Sequence, residues 1–190
     1  SALSGFDFEY TPYKVLAMKD CNNYFAVKLD KKVKAKGIYA PPDIKKNQTA
    51  PVCAKAVSHW LTDGTPFEDT IRSAQFLEFL SARNVTGGGI QGDTYLGKVV
   101  RWYMTSDRAF PPLTYKKNGN KVPKTEGARA AMIIDPKGGI PNDLDWEWYR
   151  KEAITIAKNV GAEEYLTCEE LQLITPPPKI KKPRTKKVKS

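Results

Sequence analysis

The chain has 190 residues and carries 31 Lys and Arg against 21 Asp and Glu, a formal charge of +10. With 41% apolar and 11% aromatic residues it has the material for a buried core, which excludes a globally disordered chain. It has no uncharged apolar run of about 18 residues, the length a membrane-spanning helix needs.

The charge is unevenly placed. Residues 1–11 carry −2, 12–60 carry +7, 61–95 carry −3, 96–137 carry +6, 138–175 carry −5 and 176–190 carry +7. Basic segments separated by acidic ones indicate selective surfaces rather than a uniform coat, and a polyanion such as nucleic acid is the natural partner. The plainer alternative is a charged solvated face with a basic tail.

In chain order, Val15–Lys19 and Tyr24–Leu29 are β-rich runs, and Asp30-Lys31-Lys32 is a turn between strands. Val33–Tyr39 alternates Val33, Ala35 and Gly37 with Lys34 and Lys36, which places both lysines on one strand face. Pro51–Leu61 has Val52, Ala56, Val57 and Trp60 at helical spacing and is stopped by Gly64. Thr65-Pro66-Phe67-Glu68 combines a capping-box pattern with a proline at the first helical position. It predicts a helix running through Ile71, Phe76, Leu77 and Leu80.

A β-rich portion follows. Arg83–Thr86 reads as a short strand, Gly87-Gly88-Gly89 as a flexible corner, and Tyr95–Met104 as a longer strand. Leu113–Lys116 and Lys121–Pro123 flank Lys117-Asn118-Gly119-Asn120, where Asn-Gly signals a hairpin. Ala128–Ile134 is a further apolar strand. Asp143 and Asp145 precede a helix over Trp146–Val160 that Gly161 ends, and a weaker helix spans Ala162–Leu173. Beyond Pro176-Pro177-Pro178 the chain is low-complexity and basic, expected to be disordered when free. The expected class is α+β: a β-hairpin unit over 1–45, a helix pair and small β-rich unit with a C-terminal helix over 46–175, and a basic disordered tail over 176–190.

Enzyme signatures are thin. Gly92–Val99 approaches the phosphate-loop pattern, but Val99 stands where a hydroxyl would hold magnesium and Lys98 enters a β-run rather than a helix. Asp143-Leu144-Asp145 is the single D-x-D, and both carboxylates are better placed as helix caps than as metal ligands. Cys21, Cys53, Cys168 and the single His59 offer no compact zinc set. No catalytic residue and no metal ligand is therefore assigned.

Cations interleaved with aromatics are more informative. Lys34 and Lys36 have Tyr24 and Tyr39 nearby in sequence; Lys98 and Arg101 adjoin Trp102 and Tyr103; Lys116, Lys117, Lys121 and Lys124 surround the Asn-Gly tip. Such groups hold a duplex by its phosphates and carry little sequence information.

These residues also carry a resemblance. Tyr13-Lys14, Met18-Lys19-Asp20-Cys21-Asn22-Asn23-Tyr24 and Lys34-Ala35-Lys36-Gly37 resemble the segment after the last catalytic carboxylate motif of family B DNA polymerases, particularly bacteriophage ones. Lys46-Asn47, Gly64–Ile71, Leu96–Tyr103, Gly119–Ala128 and Pro141–Ile154 look like the thumb of the phage members. The similarity spans roughly residues 10–161 through several short ordered motifs.

The resemblance implies the C-terminal palm edge and thumb, a surface that holds primer-template DNA. By transfer, Lys34, Lys36 and Tyr39, supported by Lys19 and Tyr24, would be palm-side duplex contacts. Lys98, Arg101, Lys117, Asn118, Lys121 and Lys124 would be thumb contacts. Asn118, Lys19 and the duplex assignment rest on the resemblance alone.

The family's D-x-x-S-L-Y-P and D-T-D motifs, its fingers lysine and its proofreading acids do not occur here. The chain is therefore expected to be a fragment or one subunit of a split nucleotidyltransferase in DNA replication. Its partner would be a catalytic chain carrying exonuclease, palm and fingers and holding Mg²⁺, with a processivity factor as a further candidate. The start at Ser1 without Met suggests a processed end or a fragment, and with no secretory leader the expected setting is cytoplasmic, the bacterial host's if phage-encoded. Two alternatives remain open: a stand-alone nucleic-acid-binding protein, and an interaction module whose basic tail docks an acidic partner.

Overall fold

A computed structural model describes the backbone at residues 13–20, 23–28 and 33–36, and backbone with side chains at 48–132 and 139–178. The fold is α+β. Tyr39, the end of the expected strand at 133–134 and the basic run at 179–190 lie outside the described residues.

The first three β-runs form an antiparallel sheet in the order β1 (Tyr13–Asp20), β2 (Asn23–Lys28), β3 (Val33–Lys36). Two register shifts interrupt the β1–β2 ladder, between Val15 and Ala17 and between Met18 and Asp20. The β2–β3 ladder is regular and pairs Tyr24 with Lys36 and Ala26 with Lys34. Directly opposed positions of an antiparallel pair share a sheet face, so positions 24, 26, 34 and 36 lie on one face.

Gln48 pins the chain to the second sheet before the helices begin: its backbone exchanges two 2.9 Å hydrogen bonds with Ala82, and its side-chain amide donates to the Leu80 carbonyl. Helix α1 (Pro51–Asp63) starts on a proline, whose missing N–H costs nothing in the first turn. It buries Val52, Cys53, Ala54, Ala56 and Val57. Gly64 ends it with φ +74°, its N–H donating to the Trp60 carbonyl at 3.1 Å; this left-handed cap is where glycine is favoured.

The expected long second helix is broken. Helix α2 covers only Phe67–Ser73 and has no side-chain cap. The Thr65 hydroxyl donates instead to Asp63 Oδ1 at 2.6 Å, and the Thr65 N–H goes to the same atom at 3.2 Å. Ala74 turns extended, and Phe76–Phe79 forms one 3₁₀ turn closed reciprocally by Gln75 and Glu78. The break swings Phe79 and Leu80 fully into the core, which a continued helix would not do for residues at those angles.

The second sheet has the order β6 (Leu113–Tyr115), β4 (Ser81–Gln91), β5 (Thr94–Met104), β7 (Ala128–Ala130), antiparallel throughout. The glycines at 87–89 are not a corner: β4 runs through them, and the actual turn is Gly92-Asp93. The Asn-Gly signal does mark a turn, with Gly119 at φ +69° and the Tyr115 N–H donating to the Asn120 carbonyl at 2.8 Å. Its returning arm is a single bridge, Lys121 to Thr114, rather than a strand.

Helix α3 (Trp146–Asn159) buries Tyr149, Ala153, Ile154 and Ala157 against this sheet and the helix pair. The Tyr149 hydroxyl ties three elements together, donating to the Phe79 carbonyl at 2.7 Å and accepting the Met104 N–H at 2.9 Å. The predicted last helix divides into a 3₁₀ turn (Glu163–Tyr165) and helix α4 (Cys168–Ile174), which Thr167 caps by accepting the Glu170 N–H. Among the described residues no helix is long and apolar enough to cross a membrane.

Candidate nucleic-acid interface

Strand β4 does not match β5 residue for residue. Asn84 pairs with Val99 and Gly89 with Gly97, so Val85-Thr86-Gly87-Gly88 stands opposite Lys98 alone. This large bulge needs glycine: Gly87 and Gly88 have φ of +82° and +91°, a region closed to most side chains. A Cβ at Gly88 would also lie 2.5 Å from the Tyr95 ring, and the Gly88 carbonyl accepts the Lys116 N–H at 2.9 Å. The bulge therefore brings three chain segments together.

Those segments carry cations. Lys98 stands across the bulge on β5, and the Lys117 Cβ lies 3.7 Å from where a Cβ at Gly87 would sit. Lys116 extends its ammonium over the Tyr95 ring, 4.8 Å from the centroid. Tyr95 is 48% exposed, one of the few large apolar groups left in solvent. Lys98, Lys116 and Lys117 are exposed, and none of them pairs with a described carboxylate. The result is a rim of positive charge, unpaired with any described carboxylate, around an exposed aromatic ring that covers Gly88.

The remaining expected thumb contacts are distributed differently. Asn118 is exposed at the same tip, but its Oδ1 accepts the Asn120 N–H at 3.0 Å and so builds the turn. Lys121 is exposed on the returning arm beside β6. Arg101 is half-buried, and its Nε is buried without a hydrogen-bond partner. Lys124 lies elsewhere, on a cleft described below. Of the palm-side set, Lys19, Tyr24, Lys34 and Lys36 have described backbone positions only, and Tyr39 lies outside the described residues.

A cleft of about 740 Å³ opens beside the start of β4, walled by Trp102 and Trp148, with Arg83, Lys124, Glu126 and Glu152 among its lining. Lys124 is the single non-glycine residue among those described with positive φ, +62°. Two bonds hold its neighbours: Arg83 Nη1 donates to the Pro123 carbonyl at 2.8 Å, and the Thr125 hydroxyl to the Val122 carbonyl at 2.6 Å. Burial raises the pKa of Glu152, with the Lys124 charge opposing the rise. Glu152, Trp148 and Arg83 were not singled out from the sequence. The signal that points to two of them is the four-residue spacing of Trp148 and Glu152, one face of α3.

The two aspartates of the D-x-D have separate tasks. Asp145 caps α3, accepting the Trp148 N–H at 3.1 Å, as expected. Asp143 is no cap. It accepts Tyr103 Oη at 2.9 Å, Thr105 Oγ1 at 2.7 Å and Arg129 Nη1 at 2.8 Å. Burial works against its ionisation, but the bonds from Arg129, Thr105 and Tyr103 outweigh it and hold the carboxyl below the ordinary aspartate range. Burial, together with the bond to Asp143, pushes Tyr103 up to about 12. The cluster joins β5, β7 and the segment entering α3; it is self-satisfied and has no chemistry to spare.

Gly92 and Asp93 make the β4–β5 turn, so the phosphate-loop likeness is a strand connection. His59 Nδ1 sits 3.4 Å from the Thr70 hydroxyl. Cys53 is buried, its thiol pKa raised by desolvation, and Cys168 is exposed. Among the described residues no group of three or more His, Cys, Asp or Glu is arranged to hold a metal ion. No family model, curated protein or solved structure matches this chain.

Proposed function

We propose that this chain is the duplex-gripping portion, palm edge plus thumb, of a family B DNA-directed DNA polymerase, as a fragment or as the non-catalytic subunit of a split enzyme. One observation carries the nucleic-acid part of this reading: Lys98, Lys116 and Lys117 converge, without ion pairs to described carboxylates, on a glycine bulge flanked by the exposed ring of Tyr95. Ammonium groups release counterions when they neutralise phosphates. Lys34 and Lys36 also hold positions on one face of the first sheet, opposite positions 26 and 24. The polymerase part rests on the ordered motifs of the sequence.

In this reading the chain performs no phosphoryl transfer. The aspartates and the Mg²⁺ they hold belong to a catalytic chain with exonuclease, palm and fingers, and this chain keeps the primer-template in place between additions. The test combines two measurements on the full chain. Affinity for primer-template DNA should fall with salt by about 0.9 log units per phosphate contact per log unit of salt. Added to a catalytic chain lacking its thumb, the protein should co-purify with it and stimulate primer extension. Equal affinity for heparin and duplex would overturn the DNA reading, and absence of both stimulation and co-purification would overturn the split-polymerase reading.

A further inference from the structure

The cleft beside the start of β4 has a composition that neither a duplex-phosphate surface nor a folding core requires. Two indoles wall it, and Lys124 and Glu152 both line it. The two charges feel each other, since Lys124 opposes the rise in the Glu152 pKa, yet no ion pair joins them. Lys124 is also held in a left-handed conformation that a side chain adopts at a cost. The bond from Arg83 to the Pro123 carbonyl fixes the segment that carries it. A cation and a carboxyl that line one open space without an ion pair leave a donor and an acceptor for something between them.

The volume, about 740 Å³, lies within the range of sites that enclose small molecules or single residues of a polymer. A planar heterocycle suits indole walls, and one bearing an amino donor beside a ring acceptor suits a carboxyl and an ammonium together. A nucleobase has that combination on its pairing edge. Strand β5 links the cleft to the basic rim. Strand β5 runs from Lys98 to Trp102, four residues or about 13 Å at ordinary strand rise, a span that a short single strand bridges.

We infer that the cleft between Trp102, Trp148, Lys124 and Glu152 receives one unpaired nucleobase of a strand whose duplex part lies on the Lys98–Lys116–Lys117 rim. The inference rests on the DNA reading above and adds a site for single-stranded character. Trp148 stacks the base, Glu152 and Lys124 meet its edge, and Arg83 stands at the cleft lining where the adjoining phosphate passes.

The test uses the full chain and three probes: a blunt duplex, the same duplex with a 3′ overhang containing 2-aminopurine, and free 2-aminopurine nucleotide. Stacking in the cleft should quench the overhang probe and make it bind on the order of tenfold tighter than the blunt duplex. Glu152→Gln and Trp148→Phe should each remove most of that preference and the quenching while leaving blunt-duplex affinity within about twofold. Glu152→Gln is nearly isosteric, so it remains informative if the tryptophan variant is unstable. Blunt-duplex binding without any overhang preference overturns the cleft and leaves the DNA reading standing; failure to bind either duplex overturns the DNA reading itself. Preference undiminished in Glu152→Gln and Trp148→Phe overturns this placement. Free nucleotide binding as tightly as the overhang overturns the strand assignment in favour of a mononucleotide site.

Discussion

At the β5–β7 side of the four-stranded sheet, Arg129 and Tyr103 are both bonded to Asp143. Around the β4 bulge, Lys98, Lys116, Lys117 and Tyr95 have no described carboxylate, and the Lys116 ammonium lies over the Tyr95 ring. Cations and aromatic rings are used at both places, with opposite outcomes. Where a carboxylate completes the set, Tyr103 and Thr105 are buried at 5% and 0% exposure and the cluster acts as a rivet. Where it is missing, the same residue types remain in water and available to a polyanion. Net charge alone does not separate these cases; what separates them is whether the chain supplies the counter-charge.

The largest way to break the comparison is to remove the carboxylate from the paired side. Asp143→Ala leaves the buried Thr105 and Tyr103 hydroxyls and the Arg129 guanidinium without their acceptor, and should cost about 3 kcal/mol in urea unfolding. A cost below about 1 kcal/mol would show that the cluster is not a rivet. The wild type has a matching acid signature. Asp143 ionises in the fold below the ordinary 3.8, so between that value and the lower folded one the unfolded chain binds more protons. Its contribution is complete above 3.8 and is lost as pH falls through the folded value. Asp143→Ala should flatten that part of the stability–pH curve.

A smaller loss is expected at the joint behind both sides. Tyr149→Phe removes the hydroxyl that accepts the Met104 N–H and donates to the Phe79 carbonyl. Two buried backbone groups lose partners, which should lower unfolding free energy by about 2 kcal/mol. Duplex affinity measured well below the melting temperature should not move.

The basic side should respond in the opposite manner. Lys116→Ala with Lys117→Ala should leave stability within about 0.5 kcal/mol, because these exposed lysines pair with no described carboxylate. The slope of log affinity against log salt should shrink by about 1.8, two phosphate contacts at 0.9 each. An unchanged slope would move the DNA surface away from this rim.

The cleft offers the same lesson on a smaller scale. In sequence Lys124 falls among the lysines around the Asn-Gly tip, five residues past Gly119. The fold instead carries it to Arg83 and α3, where it faces Glu152 and two indoles. Sequence proximity among Lys116, Lys117, Lys121 and Lys124 thus covers two environments. Asn118 is a similar case: it sits at the tip as expected, but its side-chain oxygen serves the turn.

What the sequence determined by itself was local. Helix α1 between Pro51 and Gly64, helix α3 between Asp145 and Gly161, and the turn at Asn118-Gly119 were all legible, because caps, period and left-handed glycines act within one turn of chain. Of the three β-runs before residue 37, the first two were legible by their β-rich composition and the third by alternation. The rest was decided by partners distant in the chain. The helix start at Phe67 was legible, but burying Phe79 under Tyr149, 70 residues away, required a break at Ala74. Gly87-Gly88-Gly89 reads as a corner in isolation and becomes a bulged strand because β5 and β6 supply hydrogen bonds on either side. Asp143 and Asp145 look equivalent as caps until β5 and β7 bring Tyr103, Thr105 and Arg129 to one of them. Local propensity is set by neighbours within a few residues, whereas which charges are neutralised and which stay open depends on contacts that exist only after the chain has closed on itself.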